Sequence, residues 1–203
     1  MLQVCTVTPD TLELLKNLQS IPELMCTRLV GGTALAFHLG HRLSVDLDLF
    51  GEFDSEIITK TLSSKSFNYF RVLTDTKIIK HYFINKVKVD IVKYDMYQWL
   101  EDAIEEDGIR LARLKDIAAM KIAAITNRGS KKDFIDIYFL LKYFSLDEIM
   151  KLYMEKYPDG SLFLAYKSLT YFADAEQQLM PKMLIPATWK NVKSKIVAEM
   201  KRL

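Results

Sequence analysis

The segment that most constrains this chain is Val45–Phe50, which runs Val-Asp-Leu-Asp-Leu-Phe. Alternation at a period of two marks a half-buried strand, whose successive side chains point to opposite faces. Val45, Leu47 and Leu49 are therefore expected on the core face, with Asp46 and Asp48 together on the other. Two carboxylates about 7 Å apart along a strand repel each other and cost stability unless something positive lies between them. A hard divalent cation such as Mg²⁺ removes that cost, taking oxygen ligands and completing its shell with water and phosphate oxygens. The pattern asks for a sheet with one wet, charged face.

A third acid stands in Lys86-Val-Lys-Val-Asp-Ile-Val92, where Lys86, Lys88 and Asp90 share one face and Val87, Val89 and Ile91 the other. An acid on a central strand without a partner is unusual. If this strand lies beside Val45–Phe50, Asp90 completes a three-carboxylate cluster able to hold two metals about 3.5–4 Å apart. Upstream, Gly31-Gly32-Thr33 falls between a β-prone run, Cys26–Val30, and a helical one, Thr33–Leu39. Glycines let backbone approach a phosphate, and a helix N-terminus offers free N–H groups and a positive dipole end. A Gly-Gly turn also occurs for purely structural reasons. The Walker, GxGxxG, HExxH and GxSxG patterns are absent.

Along the chain, Thr8-Pro9 reads as a helix start before the periodic leucines of 11–18. Gly40 is a helix stop, and a further helix is expected over 55–64. The aromatic and β-branched stretch 67–94 reads as a strand meander broken near 74–77 and at Asn85-Lys86. From Lys115 the period becomes helical, with helices expected over 115–127, 132–144, 146–156, 160–180 and 188–201. Breaks fall at 128–130, Pro158-Asp-Gly160, Pro181 and Pro186. The expected architecture is α/β (α+β): a mixed-sheet core over 1–112, then a helical subdomain over 113–203, with 95–112 as a hinge.

Composition narrows the class. With 203 residues, half of them apolar, the chain can bury about 70% of its unfolded surface. No apolar run approaches the ~20 residues that span a bilayer, and no signal peptide is visible. Cys5 and Cys26 make no metal or disulfide motif. A cytoplasmic globular protein is expected. A net charge of +2 argues against a dedicated nucleic-acid coat. Residues 182–203 nevertheless carry six basic side chains against Glu199, either a solvated helix face or a phosphate-touching tail.

The order of Gly-Gly, thirteen residues, Asp-x-Asp and a lone Asp on a later strand resembles the DNA polymerase β nucleotidyltransferase superfamily. More narrowly, Gly31-Gly-Thr-Ala-Leu-Ala, then Gly40-His-Arg-x-Ser-x-Asp-x-Asp-x-Phe50, is similar to the AbiEii/AbiGii toxin family. So is the block from Asp107-Gly-Ile-Arg-Leu-Ala through Lys121 to Arg128-Gly-x-Lys-Lys-Asp-Phe-x-Asp136. Together these stretches cover roughly residues 25–144.

The resemblance implies a metal-dependent enzyme, using Mg²⁺ or Mn²⁺, that moves a nucleoside monophosphate from an NTP to an acceptor. It places Asp46, Asp48 and Asp90 as metal ligands, and Gly31, Gly32 and Thr33 as the phosphate loop. Lys121 falls on a helix lysine reaching the triphosphate, and Asp133 and Asp136 on an acidic helix motif. It further implies a toxin–antitoxin or phage-defence role, with tRNA as one RNA acceptor and a cognate antitoxin as partner.

The residues themselves leave alternatives open. Lys121, among Ala118, Ile122 and Ile125, either projects into a cleft or snorkels at the surface. Ser130-x-x-Asp133 also fits a capping box. Arg42, just before the Asp-x-Asp strand, is a candidate phosphate or acceptor contact, and Arg128, Lys131 and Lys132 either bind phosphate or pair with Asp133 and Asp136. His38-x-x-His41 has helical metal spacing, but Gly40 interrupts it. Tyr138 or Phe139 stacks on a base or packs in the core. Two other readings use the same fold: a non-catalytic nucleotide- or partner-binding module, and a nucleotidyltransferase with a small antibiotic-like acceptor.

Overall fold

A computed structural model describes residues 1–203. Seven strands form one mixed sheet: β1 (Thr27–Val30), β2 (Leu47–Gly51), β3 (Phe70–Asp75), β4 (Ile79–Ile84), β5 (Val87–Lys93), β6 (Ile104–Glu106) and β7 (Ile109–Leu111). Their spatial order is β3-β4-β5-β2-β1-β7-β6. β2 runs parallel to β5 and β1 to β7, while the remaining neighbours are antiparallel. The first-half helices are α1 (Pro9–Gln19), α2 (Gly31–Leu39) and α3 (Ile58–Ser63). The second half holds α4 (Leu114–Asn127), α5 (Lys131–Leu140), α6 (Leu146–Lys156), α7 (Leu162–Leu169), α8 (Ala173–Glu176) and α9 (Trp189–Met200).

Local signals account for most boundaries. Thr8 caps α1 by accepting from the Thr11 amide, with Pro9 in the first turn. Gly40 closes α2 in the left-handed region, its amide donating to the Ala36 carbonyl. Ser145 and Glu148 form a reciprocal capping box on α6. The two tight hairpins turn at Asn85-Lys86 and Asp107-Gly108, all four with positive φ, as the twist of a two-residue hairpin requires.

Three differences from the sequence expectation have physical reasons. Val45 is 57% exposed, because β2 begins only at Leu47 and the residues before it leave the sheet. The stretch 95–112 carries the β6–β7 hairpin, whose Asp-Gly turn lets Leu111 pair beside Leu29. The expected helix 160–180 splits into α7 and α8. There Phe172 turns inward to pack on Phe134 and Trp189, at ring-centroid distances of 5.0 and 5.8 Å.

One continuous apolar core runs from Leu14, Leu15 and Leu18 of α1, through Leu47, Leu49, Val89 and Ile91 of the sheet, to Ile117 and Ile122 of α4 and Ile196 of α9. No helix is long and apolar enough to cross a membrane. A second tie is ionic. Lys156 of α6 is buried against Asp116 of α4 at 2.6 Å and donates to the Gln98 carbonyl, with its ammonium 4.6 Å from the Trp99 ring centroid. Asp116 also accepts the amides of Leu100 and Glu101, so its charge is fully partnered.

Candidate active site

Asp48 and Asp90 stand directly beside each other on the parallel strands β2 and β5. Register pairs also put Val30 next to Asp48 and His81 next to Asp90, so one row crosses the sheet from β1 to β4. The carboxylate of Asp48 rests against Gly31, where an added Cβ would lie 2.2 Å from Oδ2. Gly31 has a φ of 70°, so any other residue there would be strained as well as obstructed. That contact sets Asp48 at the N-terminus of α2, which no side chain caps. First-turn amides of a helix lack intrahelical acceptors and carry the positive dipole end.

Burial pushes the Asp48 carboxyl up to about 6, and neighbouring Asp90 and then Asp46 push the same way against Lys121 and Arg128. Asp46 lies at the margin, half-buried just before β2, its backbone carbonyl accepting from the Thr33 hydroxyl. Asp90 is held by His81 Nδ1 at 2.7 Å and by Lys88 Nζ at 2.7 Å. No three of the acidic, histidine or cysteine side chains form a ready metal cage. The three acids expected to cluster meet at Asp48. Asp90 stands level with it across β2 and β5, Asp46 lies two residues before it, and both act on its charge, while His81 and Lys88 engage the Asp90 oxygens.

Behind this pair lies a buried ionic cluster. Arg42 grips Asp136 with two bonds, Nε at 2.8 Å and Nη2 at 2.9 Å, while His41 Nε2 adds a third at 2.8 Å. Lys121 Nζ reaches Asp136 at 2.6 Å and Asp133 at 3.1 Å. Asp133 also accepts from Arg128 Nε at 3.0 Å and from the Ser130 hydroxyl at 2.6 Å. Burial alone would raise both aspartates. Instead Arg42 and Lys121 hold Asp136 well below its ordinary value, and Lys121, Arg128 and Ser130 hold Asp133 at about 2. His41 is pushed down chiefly by burial, so its ring is neutral at pH 7, and Nδ1 has no hydrogen-bond partner.

These contacts reassign several residues. Lys121 does not project into an open cleft, and Arg42 is buried as deeply, so neither lies free at the surface for phosphate. Gly32 has a different task from Gly31: an added Cβ would lie 2.4 Å from Arg42 Nη2, so the glycine admits the guanidinium. Thr33 spends its hydroxyl on Ser44 and on the carbonyl of Asp46. Asp133 is engaged by cations as well as by Ser130, and no side-chain cap forms on α5. His38 bonds the Ala112 carbonyl, away from His41 and its partner Asp136. Phe139 packs against His41 at 4.9 Å, in the core.

Sequence reasoning passed over His81 and Ser44 and left Arg128 undecided. His81 was legible only as a polar residue on the Asp90 face of the neighbouring strand. The Arg128 side chain is 67% exposed, yet close enough to Asp48 for their charges to attract. Crowded carboxylates, an uncapped helix N-terminus and this exposed guanidinium together suit a polyphosphate that brings a divalent cation.

The chain is similar to several known proteins. An uncharacterized protein of Aquifex aeolicus (strain VF5), aq_aa25, is 37% identical over 172 residues, covering 81% of each chain. JHP933 from Helicobacter pylori superposes with a TM-score of 0.63 at 19% identity, over 97% of this chain and 92% of that one. The antibiotic-resistance factor ANT(2'')-Ia gives 0.53 at 14% identity, over 71% and 89%. At those identities the two solved structures establish the nucleotidyltransferase fold. The model of the family described as nucleotidyl transferase AbiEii toxin, type IV toxin–antitoxin system, matches residues 13–202, and this chain therefore belongs to that family.

Proposed function

We propose that the protein transfers a nucleoside monophosphate from an NTP to an acceptor hydroxyl and releases pyrophosphate. The observation that carries this reading is the register of Asp48 beside Asp90 at the uncapped N-terminus of α2. The fit to a divalent cation rests on the donor set: two adjacent carboxylates, one raised to about 6 by burial and by the other's charge. Asp48 and Asp90 would hold Mg²⁺ or Mn²⁺, with Asp46 beside them and the remaining shell from phosphate oxygens and water. The cation's contribution is to neutralise charge on the reacting phosphates.

The chain's own groups supply the rest. The α2 N-terminus at Gly31–Thr33 and the Arg128 guanidinium bind the β- and γ-phosphates, replacing the assignment of that contact to Lys121. Lys121 and Arg42 act as positioning residues, fixing α4 and α5 behind the site through Asp133 and Asp136. The attacking hydroxyl oxygen bonds to the α-phosphorus while the α–β bridging bond breaks, and pyrophosphate leaves with that electron pair. Asp90, steadied by His81, draws the hydroxyl proton. Catalysis of this kind comes from positioning and charge stabilisation.

Family membership supports a toxin role with a cognate antitoxin as partner; to this we add the cytoplasm as the place of action and an RNA such as tRNA as acceptor. A small-molecule acceptor is the competing reading, favoured by the likeness to ANT(2'')-Ia, solved elsewhere with adenylyl-2''-tobramycin. Incubation with each labelled NTP, Mg²⁺ and either total RNA or an aminoglycoside tests both. Label entering RNA supports the first acceptor, label entering the drug supports the second, and unchanged NTP with every acceptor overturns the reaction.

A further inference from the structure

The sheet does not end at Asp90, and its continuation has a composition of its own. Residues 57–89 hold Lys60, Lys65, Arg71, Lys77, Lys80, Lys86 and Lys88 against a single acid, Asp75. That imbalance exceeds the one in 182–203, where Lys193 pairs with Glu176, and Lys195 and Arg202 both pair with Glu199. Of the seven, Lys80 and Lys88 pair with carboxylates, Asp75 and Asp90, and the other five are free of them.

Register places two of these charges, Arg71 and Lys88, on either side of an aromatic ring on the carboxylate face. Arg71 of β3 lies beside Phe83 of β4, which lies beside Lys88 of β5. This row runs parallel to the one made by Thr74, His81, Asp90 and Asp48, two residues further along each central strand. Tyr69, 47% exposed, meets Phe83 edge-on at 5.9 Å. The opposite face of β4 and β5 is closed, with Tyr82, Ile84, Val87 and Val89 buried. Three strand spacings separate β3 from β2, about 14 Å. At the Tyr69 end the surface opens into a groove of about 800 Å³, lined by Lys65, Tyr69 and Lys86 on one side and by Asp10 and Glu13 of α1 on the other, where the negative charge bounds the basic surface.

We propose that the β3–β4–β5 face is the lane for a single-stranded nucleic-acid acceptor, delivering its terminal hydroxyl to Asp90. The proposal rests on the nucleotidyltransferase reading and assigns the acceptor to a surface other than the basic C-terminal helix. Its chemistry is that of single-strand binders: cations track the backbone while exposed rings stack on bases without reading sequence. Arg71, Lys77 and Lys86 contact phosphates, and Tyr69 with Phe83 forms the stacking platform. A duplex, with its bases already paired, offers such a platform nothing.

The test is anisotropy titration of the full chain with a labelled ten-nucleotide single-stranded RNA over a range of salt, with NTP–Mg²⁺ melting shifts measured in parallel. Arg71→Gln/Lys77→Gln/Lys86→Gln should weaken binding and lower the salt slope by about 2, at ~0.7 per phosphate contact. Tyr69→Ala should weaken it roughly 5- to 150-fold at constant salt with the slope unchanged. Unaltered circular dichroism and an unaltered NTP melting shift in these exposed variants show that the effect is on the acceptor. Equal binding of duplex and single strand overturns the lane, as does a full loss on Lys190→Gln/Lys193→Gln/Lys195→Gln with Tyr69→Ala silent. RNA binding without any NTP–Mg²⁺ shift supports the lane and overturns the nucleotidyltransferase reading, so the two fail separately.

Discussion

Asp48, half-buried, and Asp136, fully buried, are both aspartates drawn out of water, and the protein treats them in opposite ways. Asp136 accepts hydrogen bonds from Arg42, His41 and Lys121 and is held far below the ordinary carboxylate range. Asp48 faces another carboxylate and is raised to about 6. Partnered charge holds helices in place, and the cost of burying it is offset by geometry and hydrogen bonds. Crowded like charge is a standing cost that a bound cation and polyphosphate would relieve, which is where a binding site is expected. The second buried pair, Lys156 with Asp116, differs from the first: burial pulls the Lys156 ammonium below its ordinary value despite its partner.

The sharpest way to break this comparison is Asp48→Asn. Transfer activity should fall on the order of 10³-fold, as for loss of a group that organises transition-state charge. The metal-free melting temperature should hold or rise, because a repulsive charge is gone. Loss of both activity and several degrees of stability would place Asp48 in the same class as Asp136.

Asp136→Ala should do the reverse, stranding Arg42 and Lys121 without their shared partner. Breaking a buried pair costs about 3–5 kcal/mol, and at roughly 2–4 °C per kcal/mol for this size the melting temperature drops by about 6–20 °C. Differential scanning calorimetry checks it. A drop under 2 °C would show that the cluster is not a structural tie.

Acid sharpens the contrast through its sign. Asp133, at about 2, and Asp136, held well below its ordinary value, bind protons more weakly folded than unfolded. Their stabilisation is complete above the unfolded value near 4 and is lost as pH falls toward 2. Asp48 is raised, so its folded form takes up a proton first, and its penalty, full above about pH 6, is relieved between 6 and 4. Melting curves of wild type and Asp48→Asn in metal-free buffer should therefore lie apart at pH 8 and converge near pH 4.

The smallest effect is expected from Arg128→Gln. Its exposed bond to Asp133 is worth under about 1 kcal/mol, a shift of a few degrees at most. The KM for NTP should rise about tenfold, as for a charge-assisted bond to phosphate. An unchanged KM would move the phosphate contact elsewhere on the α2 terminus.

What the sequence determined by itself is whatever depends on neighbours a few residues apart. The period-two alternation put Leu47 and Leu49 in the core, with Asp48 opposite. Thr8-Pro9 and Gly40 set helix ends, and Val87, Val89 and Ile91 set the face of Asp90. Each follows from side-chain direction or backbone dihedral preference, which a short window contains. The tertiary structure alone decided that β2 lies parallel to β5 with Asp48 level with Asp90. It also decided that Asp136 meets an arginine 94 residues earlier in the chain. In sequence, Lys121 and Arg42 look like any lysine and arginine, because a charged side chain carries no local mark of burial. Only packing α2, α4 and α5 together removes their water and leaves Asp133 and Asp136 as their partners.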